Sequence, residues 1–412
     1  MSSQLSILLD RARSVPYYNI LWGKSNYANF AEYPLADKKL FVPNNLSSSL
    51  AVPEKNISYY YFSAGSTGNP KMIPFTAKEW AGRVRYRGEC YKKAGVTKND
   101  RVAILLSFGP WIAGPSAQDA LLQLGCTVFP IGQLSEDEEI VGLFSIFERH
   151  KINILVTAPS LAQRFAYVYA KRKGKHTVKL DKIITSGEFI TDTLKKQLQQ
   201  LFGAETFSSY ASSESFIGIE CRQHNGFHYN PDEVFIETLD DKNRPKDEGG
   251  NIIISVLGSS AIPIVRYPMG DLGAVDITPC SCGNSWPKIL WKGRTHEAFS
   301  VAGQVSIRSY QLKDAFARSG ILVTRCEIEL LEREAGKDLV VFNLYTINQL
   351  NSVELEEKEK ALENLLKHSS MDFNDVIHQN IVKLKVILRS DLGPRVSPKT
   401  KIKVCDKREH VR

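Results

Sequence analysis

The chain has 412 residues, 43% hydrophobic and 24% charged, with a formal net charge of +8. That length exceeds what one hydrophobic core usually serves, so two domains are expected, and the composition excludes a disordered or fibrous chain. The positive excess is modest and its densest run, Lys171-Arg172-Lys173-Gly174-Lys175-His176, is too short for a nucleic-acid binder; it suits a protein that handles small anions.

The segment Met1 to Asp10 lacks a basic start, and its apolar run is too short for a signal peptide. No apolar window reaches the length of a membrane span, so no membrane partner is expected. The seven cysteines are odd in number and mostly scattered, which argues against a secreted disulfide framework. A cytoplasmic protein is expected.

In chain order, the β-prone run Ile57-Ser58-Tyr59-Tyr60-Tyr61 leads directly into Phe62-Ser63-Ala64-Gly65-Ser66-Thr67-Gly68-Asn69-Pro70-Lys71-Met72-Ile73-Pro74. Small residues around Gly65 and Gly68 leave backbone N–H groups uncovered. Ser63, Ser66 and Thr67 add hydroxyls, and Lys71 adds a cation. That is the chemistry of a phosphate-gripping loop. It is not the G-x-x-x-x-G-K-[ST] loop, because Lys71 follows Pro70 and no Ser or Thr comes after it.

From residue 57 to about 210, short apolar runs alternate with amphipathic segments. Val102-Ala-Ile-Leu-Leu-Ser107, Thr127-Val-Phe-Pro-Ile131, Ile152-Asn-Ile-Leu-Val-Thr157 and Lys182-Ile-Ile-Thr-Ser186 read as buried strands. Between Thr191 and Phe202, the residues Leu194, Leu198, Leu201 and Phe202 share one helical face. This alternation predicts an α/β fold with a parallel sheet covered on both faces. After residue 230 the strands Val234–Leu239, Asn251–Val256 and Ile262–Tyr267 follow one another between polar turns. They predict an antiparallel subregion, a distorted barrel appended to the α/β core. Beyond Gly293-Arg294 come strands over Leu322–Leu331, Leu339–Ile347 and Ile381–Leu388 and a helix near Val353–His368, with Asn351 and Glu354 as its capping box. This predicts a small α+β domain. The expected domains are residues 1–293 and 294–412.

Further segments carry polar chemistry. Ser208-Ser-Tyr210-Ala211-Ser-Ser213-Glu214 follows an apolar stretch, at the strand end where α/β sheets hold ligands. Glu214 is suited to hold Mg²⁺ against a triphosphate, and Tyr210 to stack on adenine. In Arg266-Tyr-Pro-Met-Gly270-Asp271, a carboxylate after a tight glycine turn can accept both hydroxyls of a ribose. Trp291-Lys-Gly293-Arg294-Thr295 stands at the domain boundary, where an arginine can reach ribose or phosphate beside a hinge. Near the C-terminus, Gly393-Pro-Arg-Val-Ser-Pro398-Lys399-Thr-Lys401 is a proline-stiffened basic loop able to deliver a lysine to a phosphate.

Cys280-Ser-Cys282-Gly283 is a paired-thiol turn, and Cys221 lies upstream with His224 and His228 close by. Zinc prefers four thiolate or imidazole ligands, and cytoplasmic cysteines two apart are more often metal ligands than disulfide partners. Spacing alone leaves the ligand set open.

These motifs, in this order, resemble the adenylate-forming superfamily of acyl-CoA synthetases, adenylation domains and luciferases, over roughly residue 57 to the end. Pro130-Ile-Gly-Gln133, Thr185-Ser186-Gly187-Glu188 and Phe202-Gly-Ala-Glu205 look most like the phenylacetate-CoA ligase branch. The resemblance implies that Ser63 to Lys71 (Gly65, Ser66, Thr67 and Gly68 included) grips the pyrophosphate side of ATP. Ser186, Gly187, Glu188, Tyr210, Ala211 and Ser213 would line the nucleotide site, and Glu214 would hold Mg²⁺. Asp271 would bind ribose and Arg294 the nucleotide at the domain junction. Lys399 would be the adenylation lysine, with Lys401 as fallback because Pro398 stands where the family has glycine. The branch's Cys…His…Cys-x-Cys pattern implies a structural zinc on Cys221, His228, Cys280 and Cys282. His228 is preferred to His224 because Gly226-Phe-His228 matches.

The expected reaction is ATP-dependent conversion of a small carboxylic acid to acyl-AMP, then transfer to a thiol of CoA or phosphopantetheine. Phe108, Trp111 and Phe189 are the candidate walls of an aryl or medium apolar acyl pocket, between the helix starting near Pro110, the Ser186–Phe189 turn and Tyr210-Ala211. The alternatives are an enzyme loading a carrier protein, one using an amine acceptor, and a catalytically silent nucleotide-binding homologue.

Overall fold

The computed structural model describes residues 3–23, 27–63, 71–134, 136–172, 177–295, 298–301, 305–334, 337–346, 348, 350–390 and 401–408. The chain opens with α1 (Ser3–Arg13), α2 (Pro16–Trp22) and the single turn α3 (Leu46–Ser49). Strands β1 (Ile57–Phe62) and β2 (Met72–Thr76) then pair antiparallel. Helix α4 (Ala77–Lys93) starts where the Thr76 hydroxyl accepts the Glu79 N–H.

The alternation foreseen from the apolar runs follows as β3 (Arg101–Leu105), α5 (Ala113–Gln123), β4 (Thr127–Pro130), α6 (Asp137–Arg149) and β5 (Ile154–Thr157). It continues through α7 (Pro159–Lys171), β6 (Lys182–Ser186), α8 (Asp192–Phe202) and β7 (Glu205–Ala211). In α8, Leu194, Leu198 and Phe202 are buried, and Gly203 ends the helix in the left-handed conformation, as the spacing requires. The antiparallel strands are β8 (Phe216–Glu220), β9 (Phe227–His228), β10 (Val234–Leu239), β11 (Gly250–Val256), β12 (Ile264–Asp276) and β13 (Lys288–Arg294).

These two halves form one sheet of eleven strands, in the order β10-β11-β12-β13-β9-β8-β7-β6-β5-β3-β4. The expected antiparallel subregion is therefore present, but it joins the parallel strands directly: β7, parallel to β6, pairs antiparallel with β8. Alternation along each parallel strand separates the two faces. Val102 and Ile104 belong to the core that holds α4 and α5, whereas Ala103 and Leu105 belong to the core under α6, α7 and α8.

The N-terminal helices are stitched to the antiparallel half. Tyr18 donates its hydroxyl to the Pro263 carbonyl (2.7 Å) and accepts the Val265 N–H (3.1 Å). Arg266, 2% exposed, makes a two-point ion pair with Glu237 (3.0 Å at each contact) and donates to the carbonyls of Ala31 and Tyr33.

A separate buried cluster begins at Phe299. It comprises β14 (Ala298–Val301), β15 (Val305–Arg308), α9 (Ser309–Ser319), β16 (Val323–Glu334), β17 (Lys337–Thr346), α10 (Ser352–Lys367), α11 (Met371–His378), β18 (Val382–Ser390) and β19 (Lys401–Asp406). Its sheet order is β18-β17-β16-β19, and Asn351 with Glu354 forms the expected capping box of α10. The two lobes touch through Thr193 and Asp314 (2.9 Å) and through Gln197 and the Ala317 carbonyl (3.1 Å). Among the described residues no helix is long and apolar enough to cross a membrane.

Candidate functional site

The pairing of β1 with β2 closes the neck of the glycine-rich loop. The Ser63 N–H donates to the Lys71 carbonyl at 3.1 Å, and the Lys71 N–H donates to Ser63 Oγ at 3.2 Å. Gly65, Ser66, Thr67 and Gly68 lie outside the described residues. Beyond the neck, Lys71 Nζ is ion-paired with Glu214 and donates to Tyr267 Oη at 2.9 Å. Glu214, 5% exposed, stands in a turn after β7 held by Ser212 and Ser215; Ser213 is in the same turn. Burial works to raise the Glu214 carboxyl, but the Lys71 ammonium and the hydrogen bonds of its own turn together outweigh it, and the net shift is downward. Glu214 is therefore ionised at neutral pH.

A second cluster adjoins the first along β7 and β12. Asp271, 2% exposed, accepts the Tyr210 hydroxyl at Oδ2 (2.7 Å) and the Trp291 indole N–H at Oδ1 (3.2 Å). Arg294 Nε lies 3.3 Å from Oδ1, because β12 and β13 pair Asp271 with Arg294. Burial, then the neighbouring Asp271 charge, raises the Tyr210 phenol well above its ordinary value, so it remains a donor. The tight turn expected before Asp271 is absent. Gly270, with φ +72°, lies inside the long strand β12, whose register slips next to Asp271, between Leu272 and Gly273. Thr295 ties the junction down: its N–H (3.0 Å) and hydroxyl (2.8 Å) both donate to the Gly270 carbonyl.

At the end of β6, Ser186 is buried, Gly187 takes φ +83°, and Glu188 accepts the Ser160 hydroxyl (2.9 Å). Ala211 ends β7 beside Tyr210. The three candidate pocket walls have separate neighbours. Phe108 packs so closely on α5 that a Cβ at Gly114 would fall 2.7 Å from its ring. Trp111 is joined to Phe62 by the Phe62 N–H, which donates to Pro110 (2.8 Å). Phe189 instead stacks on Trp291 (centroids 5.0 Å apart) and meets Tyr310 of α9 (5.7 Å). The helix expected near Pro110 begins at Ala113. Lys399 lies outside the described residues, and Lys401 opens β19. Tyr267 and Trp291 were missed as functional candidates, although both stand inside motifs that signalled the site.

The sulfur and imidazole ligand atoms of Cys221, His228, Cys280 and Cys282 all lie within 4.8 Å of one another. Bonds of about 2.3 Å to sulfur and about 2.05 Å to nitrogen at tetrahedral angles put sulfurs about 3.8 Å apart and sulfur about 3.5 Å from nitrogen. Cys221 and Cys280 Sγ atoms are 3.8 Å apart, and Cys282 Sγ is 3.5 Å from His228 Nε2. His228 Nδ1 is 2.8 Å from the Trp286 carbonyl, which can only accept, so the proton sits on Nδ1 and Nε2 keeps its lone pair. His224 faces Glu220 instead (3.5 Å). The donor set and its spacing fit a zinc ion.

The profile of the AMP-binding enzyme family matches residues 9–254, more than half of the chain, and the chain belongs to that family. Within it, the chain is similar to the phenylacetate-coenzyme A ligase of Pseudomonas putida, at 25% identity over 81% of this chain and 73% of the relative. The phenylacetate-coenzyme A ligase of Aromatoleum evansii is 22% identical over 84% of this chain and 79% of its own. Among solved structures, 2-hydroxyisobutyryl-CoA ligase in the postadenylation state aligns with a TM-score of 0.80 at 17% identity, covering 98% of this chain and 88% of that one. The same ligase in its thioesterification state aligns with a TM-score of 0.66 at 19% identity.

Proposed function

We propose that this chain is an AMP-forming acid–thiol ligase. It activates a carboxylic acid, aryl or medium apolar, to acyl-AMP and transfers the acyl group to a thiol, that of CoA first among the candidates. One observation carries the reading: the Lys71–Glu214–Tyr267 cluster and the Tyr210–Asp271–Trp291–Arg294 cluster stand side by side on β7 and β12. One has the chemistry for phosphates and the other for a ribose. The likeness to the phenylacetate-coenzyme A ligases of Pseudomonas putida and Aromatoleum evansii supports the same class.

In the first half-reaction a carboxylate oxygen attacks the α-phosphorus of ATP, the bond to the β-phosphate oxygen breaks, and pyrophosphate leaves. The Ser63–Lys71 loop grips the leaving side, with Lys71 stabilising its charge. Asp271 accepts the ribose hydroxyls, with Tyr210 and Trp291 fixing its orientation. Ser186, Gly187, Glu188, Ala211 and Ser213 line the nucleotide, and Arg294, the exposed member of its cluster, contacts it at the junction. The ionised Glu214 would hold Mg²⁺, which supplies charge neutralisation on the triphosphate. Residues 294–412 form the mobile lobe that delivers Lys399 to the α-phosphate, and 1–293 bind nucleotide and acid. In the second half-reaction the thiol sulfur attacks the acyl carbon, its proton is lost, and AMP departs. Cys221, His228, Cys280 and Cys282 would hold a structural zinc, closed by four protein ligands. The cytoplasm suits its free thiols.

Pyrophosphate release measured across aryl and aliphatic acids, with and without CoA, tests the reading, and turnover with no acid would sink it. Lys399→Ala should abolish adenylation while sparing thioester formation from supplied acyl-AMP. Loss of both half-reactions together would refute the role given to Lys399.

A further inference from the structure

A cavity of about 320 Å³ lies between α4 and the turn Gly258–Ser260, sharing Glu214 with the Lys71 cluster. Its charged lining includes Arg11, Lys78, Glu79, Arg83, Arg85 and Glu233. Arg85 is neutralised by Glu233 (2.5 Å), and Glu214 by Lys71. Glu79 accepts the Ser260 hydroxyl (3.1 Å) and the Ala261 N–H (3.0 Å), and burial raises its carboxyl above the ordinary range. Arg11 donates to the Ser259 carbonyl. Neither it nor Lys78 nor Arg83 has a carboxylate partner among the described residues.

Arg83 is the informative cation. Its Nη2 donates to the Ser212 carbonyl (3.0 Å), and its guanidinium lies 5.6 Å from the Phe75 ring centroid. Its Nε–H is buried with no acceptor. Burial, and then repulsion from Arg87 one turn on, pushes it down to about 9 against the pull of Glu214 and Glu79. A guanidinium gives up hydration without cost only where something replaces it. One carbonyl, one ring face and the more distant Glu214 and Glu79 leave its Nε–H without an acceptor. An anion in the cavity would supply one.

We infer that this cavity is a subsite for pyrophosphate, the leaving group of the proposed first half-reaction, held by Arg83 with Lys78 and Arg11. The inference rests on the adenylation reading and extends it. Glu214 is common to Lys71 and the cavity, so the released pyrophosphate, once past Lys71, meets a wall where Arg11, Lys78 and Arg83 have no carboxylate within ion-pair distance among the described residues. Arg83 is fixed through Ser212, two residues before Glu214, which ties the subsite to the turn that carries the metal-binding carboxylate.

The test is calorimetric titration of the full chain in Mg²⁺ buffer with sodium pyrophosphate and, separately, with AMP. The parent is compared with Arg83→Gln and Lys78→Gln; Lys78 is exposed, so its replacement does not endanger the fold. Arg83→Gln should weaken pyrophosphate about tenfold or more, the loss of a charge-assisted contact. Lys78→Gln should weaken it about threefold with a shallower salt dependence. AMP affinity should stay within about twofold in both. Unchanged pyrophosphate affinity in both variants overturns the inference, and so does a parallel fall of AMP and pyrophosphate. Failure of AMP to bind the parent would strike the adenylation reading instead, and the pyrophosphate titration, which needs no AMP, separates the two.

Discussion

Replacing Asp271 by Asn removes a charge while keeping the side chain's shape. In the folded protein Oδ2 accepts from Tyr210 (2.7 Å) and Oδ1 from Trp291 (3.2 Å). An amide satisfies both, its oxygen accepting from Trp291 and its NH₂ donating to the Tyr210 oxygen. What the fold loses is the contact with Arg294, whose side chain is 57% exposed; such a pair is worth about 0–1 kcal/mol. Ribose recognition loses more. Two hydroxyls donating to a carboxylate contribute about 1.5–3 kcal/mol each, against about 0.5–1.5 to a neutral acceptor. The difference, about 2–3 kcal/mol over two bonds, predicts AMP binding weaker by about 30- to 150-fold. Titration with AMP and with 2′-deoxy-AMP reads the effect directly. The penalty for the missing hydroxyl should shrink in Asp271→Asn relative to the parent. An equal deoxy penalty in both would refute the ribose assignment, and a large drop in melting temperature would show that Asp271 acts on the fold.

Elemental analysis of purified protein should find one zinc per chain, lost in Cys282→Ser but retained in Cys405→Ser; a metal-free parent would remove the proposed site. Arg266→Met should cost about 3–5 kcal/mol in urea unfolding, because it strands Glu237 and two carbonyls; a loss under about 1 kcal/mol would contradict that account. Asp276 is held at about 2, below its ordinary 3.8, by the Thr278 hydroxyl and then Lys288. Its folded value is the lower one, so its stabilisation is complete above about pH 4 and fades as pH falls toward 2. Asp276→Asn should flatten that part of the stability profile, and an identical acid slope in both proteins would show that the pair contributes nothing.

Local signals read well in this chain. The α8 face of Leu194, Leu198 and Phe202, the Asn351–Glu354 capping box and the apolar runs of β3, β5 and β6 were all legible, since each is written within a few neighbouring residues. The pairing of β7 with β8 was not, because an antiparallel partner is chosen by packing over the whole sheet. The same limit hid the contacts of Tyr267 and Trp291. Each stood in a marked motif, but only the fold brings Tyr267 to Lys71 from 196 positions away and sets Trp291 across the strand pair from Asp271. Phe189 illustrates the converse. Its aromatic character was plain, yet its neighbour Tyr310 belongs to the other lobe.

The stitching of the N-terminal helices has a consequence for synthesis on the ribosome. Arg266 bonds to Ala31 and Tyr33 across separations of 235 and 233 positions, and Tyr18 reaches Pro263 across 245. At about 5–20 residues per second, the earlier segment waits on the order of 10–50 s for its partner strand. During that interval Leu5, Leu8, Tyr18 and Trp22, all buried in the finished protein, have no surface of β12 to cover them. Until then the nascent chain carries an apolar patch, which a chaperone can read.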